Sequence, residues 1–204
     1  MEPLDIATTH GPARVHLHEH EPPRAALVLG HGAGGGVAAR DLVAATRAAA
    51  SAGLTAALVE QPYRVAGRRS PPPAATLDTA WREIIAALRE GPLSGLRLVV
   101  GGRSSGARVA CRTVAGTDAV GVVCLAFPLQ PPRRSTPAPS RLPELEAVTV
   151  PVLVVQGERD PFGIPPEAPG RTVVRVAGDH GLKSDLGAVE TAVGDWLRHL
   201  LIGG

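Results

Sequence analysis

The residues best suited to chemistry lie in Gly102-Arg103-Ser104-Ser105-Gly106, a G-x-S-x-G sequence between an apolar run and a helix-period run. A nucleophile on a tight strand-to-helix turn is pushed into unfavourable backbone angles. Residues two before and two after it must be small, or their side chains collide, and Gly102 and Gly106 meet that need. The Ser104 hydroxyl is then exposed above a helix N-terminus. The Ser105 amide points where an oxyanion would form. A serine hydroxyl is a poor nucleophile unaided and needs a base, which in turn needs an acid to orient it. Gln156-Gly157-Glu158-Arg159-Asp160 follows a later apolar run, and Ala177-Gly178-Asp179-His180-Gly181 follows the next. Serine, acid and histidine thus fall in the required order on successive loops. His180 is the expected base. Asp160 is the expected acid, with Glu158 in reserve. Asp179 adjoins His180, and neighbouring side chains in a turn diverge.

A second oxyanion donor is expected after an early strand, in Gly30-His31-Gly32-Ala33-Gly34-Gly35-Gly36. Glycines let backbone amides face a ligand without side-chain interference. The amide of Ala33 is the first choice and that of Gly34 a close second, with His31 expected as a structural hydrogen-bonding residue. Gly32, Gly34, Arg64 and Arg103 are candidates for substrate contact, and Arg64, Arg68 and Arg103 would favour an acid-bearing substrate. Solvated surface charge is the plainer reading of these arginines. Of the other histidines, His10, His16, His18 and His20 lie in the N-terminal arm and His199 late in the chain. His16, His18 and His20 share one face of an extended segment. No carboxylate-rich cluster accompanies them, so a solvated strand is expected there rather than a metal site. Cys111 and Cys124 read as small buried hydrophobes in a reducing cytosol. No metal or cofactor is expected.

The elements that must position these groups follow from hydrophobic period. Ala25–Leu29, Leu54–Val59, Leu96–Val100, Ala119–Phe127, Val152–Val155 and Thr172–Val176 read as strands. Val37–Ala52, Thr76–Glu90, Ser105–Val114 and the last segment, with Val189, Val193, Trp196, Leu197 and Leu200, read as helices. Strands apolar throughout, alternating with amphipathic helices, indicate a parallel sheet of about six or seven strands buried on both faces, an α/β class. Ala13–His20 would add an antiparallel edge. Two Pro-rich basic segments, 61–75 and 128–144, follow strands and so lie at the carboxyl edge of the sheet, where ligands bind in such folds.

The 204 residues fit a single domain, with residues 1–24 as an N-terminal arm and residues 128–150 as a Pro-rich loop over the site. With 44% hydrophobic residues and a net charge of only +2, the chain is expected to fold rather than stay disordered. It has no apolar run long enough for a membrane helix and no signal peptide, so a cytoplasmic location is expected. Its 20 arginines are scattered, and it has five aromatic residues, which argues against nucleic-acid binding. A small acyl compound is the expected partner, and the protein itself is expected as a monomer or homodimer.

His31-Gly-Ala-Gly-Gly35, Gly101-Gly-Arg-Ser-Ser-Gly-Ala-Arg-Val-Ala110, the strand ending Leu125-Ala-Phe-Pro-Leu-Gln-Pro-Pro132, Val152–Gly163 and Gly178–Lys183 carry a resemblance. The chain resembles small α/β-hydrolases of the dienelactone-hydrolase-like branch. It is more similar still to the group with the hydrolase-like domain of the eukaryotic NSL chromatin-complex subunit and its testis-expressed relative. The resemblance implies a three-layer α/β-hydrolase fold without a large cap, and Ser104, Asp160 and His180 as a catalytic triad. Serine stands where dienelactone hydrolases carry cysteine, which separates this chain from that substrate. Only ten residues lie between Asp160 and Arg171, so the usual crossover helix there must be very short.

Two rival readings stand beside the hydrolase. Gly34-Gly35-Gly36-Val37-Ala38-Ala39 matches the G-x-G-x-x-A dinucleotide fingerprint after a strand, with Glu60 ending the next one. It leaves Ser104, Asp160 and His180 unexplained. A non-catalytic scaffold on the same fold is the other, since fold never guarantees function.

Overall fold

The structure, a computed structural model, describes residues 2–130 and 139–202. The elements are β1 (Leu4–Ile6), β2 (Ala13–His18), β3 (Ala25–Gly30), α1 (Arg40–Ser51), β4 (Leu54–Glu60), α2 (Pro62–Val65), α3 (Ala74–Glu90), β5 (Leu98–Arg103), α4 (Ser105–Thr113), β6 (Gly121–Leu125), α5 (Leu142–Glu146), β7 (Val152–Gly157), β8 (Arg171–Val176) and α6 (Leu186–Ile202). One sheet contains all eight strands, in the order β1-β2-β4-β3-β5-β6-β7-β8. From β4 to β8 in that order the strands are parallel, and β2 lies antiparallel between β1 and β4.

Side chains of a strand alternate between the faces of its sheet, and here the alternation divides two cores. Ala26, Val28, Val100, Val122, Cys124, Val152 and Val154 face one core, with Trp81, Ile84, Ile85 and Leu88 of α3 and Val109 of α4. Leu27, Leu29, Val99, Val123, Leu125, Leu153 and Val155 face the other, against Leu42, Ala45 and Ala49 of α1 and Val189, Val193 and Leu197 of α6. Cys111 and Cys124 are buried free thiols with their sulfurs 3.5 Å apart.

Several boundaries differ from the sequence reading. The sheet has eight strands rather than six or seven, because β1 is too short to show a period. β1 therefore covers β2, which is no longer the edge. The first helix starts at Arg40 rather than Val37, since turns closed by Gly35 N–H on Gly32 O and Ala39 N–H on Gly36 O precede it. Segment 61–75 is not all loop: it holds α2, and α3 begins directly after Pro71-Pro72-Pro73. Proline presets helical φ, and the first-turn amides it lacks have no acceptor. For the same reason Pro143 fits the first turn of α5, inside the segment 128–150 expected as a loop. Residues 131–138 of that segment lie outside the described residues.

Candidate active site

Ser104 sits between β5 and α4 with φ 52° and ψ −106°. A non-glycine residue there carries backbone strain that its surroundings must hold. Ser104 N–H donates to Leu125 O at 2.8 Å, which fixes the turn to β6. The flanking glycines are required by contact. A Cβ on Gly102 would lie 2.5 Å from Gly30 O, and one on Gly106 would lie 2.3 Å from that same oxygen. The end of β3 therefore passes directly against the turn.

His180 follows β8. Its Nε2 is 3.0 Å from Ser104 Oγ, and its Nδ1 is 2.8 Å from Asp160 Oδ2. Nδ1–H donates to the carboxylate, which leaves Nε2 free to accept the serine proton. The Asp160 side chain is fully buried, whereas that of His180 is 20% exposed. Asp160 is held from three sides: Gln156 Nε2 donates to Oδ2 at 2.7 Å, Phe162 N–H donates to Oδ1 at 2.9 Å, and His180 closes the set. The Phe162 ring lies over the imidazole at a centroid distance of 4.4 Å. Gly157 lets the acid and histidine loops approach, since a Cβ there would stand 2.3 Å from Asp179 O. Glu158, the reserve acid, is exposed and has no hydrogen bond to His180 among the described residues. Asp179 is also exposed and caps Gly181 N–H.

The glycine loop after β3 adjoins the serine: a Cβ on Gly32 would lie 3.7 Å from Ser104 Cβ. Its peptide planes are oriented through their carbonyls. Gly32 O accepts from His31 Nδ1 at 2.8 Å and from Gly35 N–H at 3.2 Å. Ala33 O accepts from the Tyr63 hydroxyl at 2.9 Å. In a trans peptide the N–H points opposite to the C=O, so these bonds fix the amides of Ala33 and Gly34. The Ser105 amide, in the first turn of α4, has no acceptor within its helix. His31 is buried, and its Nε2 accepts from Gln61 N–H at 3.1 Å. Burial lowers its pKa, so the neutral ring that this bond requires is also the favoured one.

The candidate arginines have separate fates. Arg103, 19% exposed, has protein partners. Its Nη2 donates to His180 O at 3.0 Å, and its Nε stands 2.9 Å from Asp41 Oδ2. That last contact is an ion pair off the hydrogen-bond direction. Burial raises the pKa of Asp41, and the nearby Arg103 charge opposes it. Arg64 is half-buried on α2 and donates to Arg68 O at 3.3 Å. Sequence reasoning missed Gln156, Tyr63, Phe162 and Asp41. Gln156 alone left a signal, as the one polar side chain closing the run Val152-Leu-Val-Val155. The other three sit in unremarkable contexts.

The glycines at 34–36 do not form a dinucleotide cradle at a helix start, because α1 opens only at Arg40. His16 faces Glu60 at 3.3 Å, and among the described residues no three His, Cys, Asp or Glu side chains gather as for a metal. Among the described residues no helix is long and apolar enough to cross a membrane.

The comparisons agree with the fold. A lidless α/β serine hydrolase from Xanthomonas campestris is 20% identical, with a TM-score of 0.71 over 96% of this chain and 94% of that one. Est1E from Butyrivibrio proteoclasticus is 13% identical, with a TM-score of 0.79 over 98% and 99%. A dienelactone hydrolase from Anabaena variabilis is 16% identical, with a TM-score of 0.75 over 97% and 96%. No curated protein sequence matches the chain. The alpha/beta hydrolase domain family matches residues 23–185, most of the chain and every segment that builds the site, and this protein belongs to that family.

Proposed function

We propose that the protein is a serine hydrolase cleaving a small carboxylic ester, thioester or related acyl substrate. The observation that carries this reading is the unbroken chain from Ser104 Oγ through His180 to Asp160, built on a strained turn. Ser104 attacks the acyl carbonyl as His180 Nε2 takes its proton. Asp160 holds the imidazole tautomer and stabilises the imidazolium. The amides of Ser105 and Ala33 bind the oxyanion, with Gly34 N–H as an alternative donor. His180 returns the proton to the leaving group, and water then cleaves the acyl-enzyme. Gly32 and Gly34 border the acyl group, and Arg64 is the side chain for an acid-bearing substrate. Among the described residues no cap domain lies over the half-buried Ser104, which suits small or flexible substrates. The protein works in the cytoplasm as a monomer or homodimer without cofactor or nucleic acid. Its nearer kinship is with the NSL-subunit hydrolase-like domain, on the segments quoted above.

The test is labelling with a fluorophosphonate, read by intact mass and peptide mapping. One adduct on Ser104, absent in a folded Ser104→Ala variant, together with ester turnover lost in that variant, is the expected result. Turnover that survives the substitution refutes the mechanism.

A further inference from the structure

Arg103, the residue before Ser104, makes contacts that the acyl chemistry itself does not use. Arg103 is 19% exposed, and its guanidinium reaches three separate segments. It donates to the backbone oxygen of His180, on the loop after β8. It pairs with the carboxylate of Asp41, whose side chain is 1% exposed in the first turn of α1. It also lies beneath the glycine loop, where a Cβ on Gly32 would be only 2.7 Å from its Nη1. The nucleophile turn, the histidine loop, the oxyanion loop and the start of α1 meet at one planar fork.

We propose that Arg103 and Asp41 form a positioning pair that fixes His180 and the oxyanion loop relative to Ser104. The proposal rests on the hydrolase reading above. His180 must hold Nε2 near the serine while its loop, with Gly178 and Leu182 at positive φ, stays part-exposed. A bond to its own carbonyl, from the residue adjoining Ser104, ties base and nucleophile through a single side chain. Asp41 fixes the guanidinium in turn. A buried arginine without that partner would be free to swing toward solvent, and a buried carboxylate without the arginine would be unpaired. Arg103 touches no reacting atom, so its role is to set geometry. Lysine cannot replace it, because one ammonium lacks the rigid fork that serves two acceptors at once.

The experiment must separate geometry from stability. Arg103→Met alone strands the Asp41 charge and destabilises the protein whatever else it does. Arg103→Met/Asp41→Leu removes both charges and restores an apolar contact, a replacement that buried pairs often tolerate. In this double variant the melting temperature is expected near wild type, with kcat on a small chromogenic ester lowered about 10²-fold and KM nearly unchanged. The downfield proton resonance of the His180 ring, donated to Asp160, is expected to broaden or move. A pair with a merely structural role gives a stable double variant with wild-type kcat and an unmoved resonance, which overturns the proposal. If the double variant fails to fold, Arg103→Lys decides in the same way. It keeps the charge, and unchanged kcat and resonance in it overturn the proposal. The resonance is read without substrate. A wild type that shows it but hydrolyses no ester refutes the hydrolase reading, while the resonance in the variants still judges the pair.

Discussion

Replacing Gly106 by alanine tests the elbow geometry most directly. The added Cβ would lie 2.3 Å from Gly30 O, 2.6 Å from Gly30 C and 2.9 Å from His31 O. All three are backbone atoms at the end of β3, a strand bonded on both sides to β4 and β5. No side chain can rotate to relieve the contact. Ordinary contact starts at 3.4 Å, so α4 and β3 must separate by about 1 Å. Overpacking of that size costs about 1–3 kcal/mol. On the proposed mechanism the functional loss is larger, because the loop proposed to bind the oxyanion continues from β3 while Ser104 leads α4. Opening the gap moves that loop and Ser104 apart. A misplacement of about 1 Å costs on the order of 10²-fold in rate. The assay is kcat/KM on a small chromogenic ester, beside a thermal melt. Gly116→Ala serves as control, since its Cβ would meet only Arg82 Nε at an ordinary 3.7 Å. Gly106→Ala with activity and melting temperature like those of the control would refute the reasoning.

Three further outcomes are expected. Asp160→Asn keeps the fold but lowers kcat by about 10⁴-fold, because the amide selects the wrong imidazole tautomer. Glu158→Gln stays near wild type, and the reverse pattern would transfer the acid role to Glu158. His31 gives a pH dependence. Its folded pKa is depressed below the ordinary value of 6.5, so near and below that pH the unfolded chain binds more protons. Its stabilising contribution is complete well above pH 6.5 and is lost as pH falls toward the folded pKa. The loss is up to about 1.4 kcal/mol per pH unit. Denaturant titrations of wild type and His31→Gln from pH 8 to 5 check this. Equal acid-side slopes in the two proteins would remove His31 as the cause.

The sequence alone carried most of the elements and the order of the candidate residues. Short continuous apolar runs and period-3.6 helices are local signals, written in consecutive residues, and a sheet buried on both faces follows from them. The elbow was legible because G-x-S-x-G is five consecutive residues, although the contact that forces Gly102 and Gly106 to be glycine is with Gly30 of β3. Loop order brought out Ser104, Asp160 and His180 together, and the structure puts them in one hydrogen-bonded chain. Which carboxylate reaches the imidazole was not written in residue type. Glu158 and Asp160 sit on one short loop, where Gln156 and Phe162 hold the Asp160 carboxylate and the separate loop of His180 closes on it. Arg103 shows the limit most clearly. In sequence it is a charged residue beside the nucleophile, equally suited to substrate, solvent or a structural partner. Its partners come from residue 41 in α1 and from the loop at residue 180. The direction of a long side chain is decided by what the finished fold places around it, and no nearby residue encodes that.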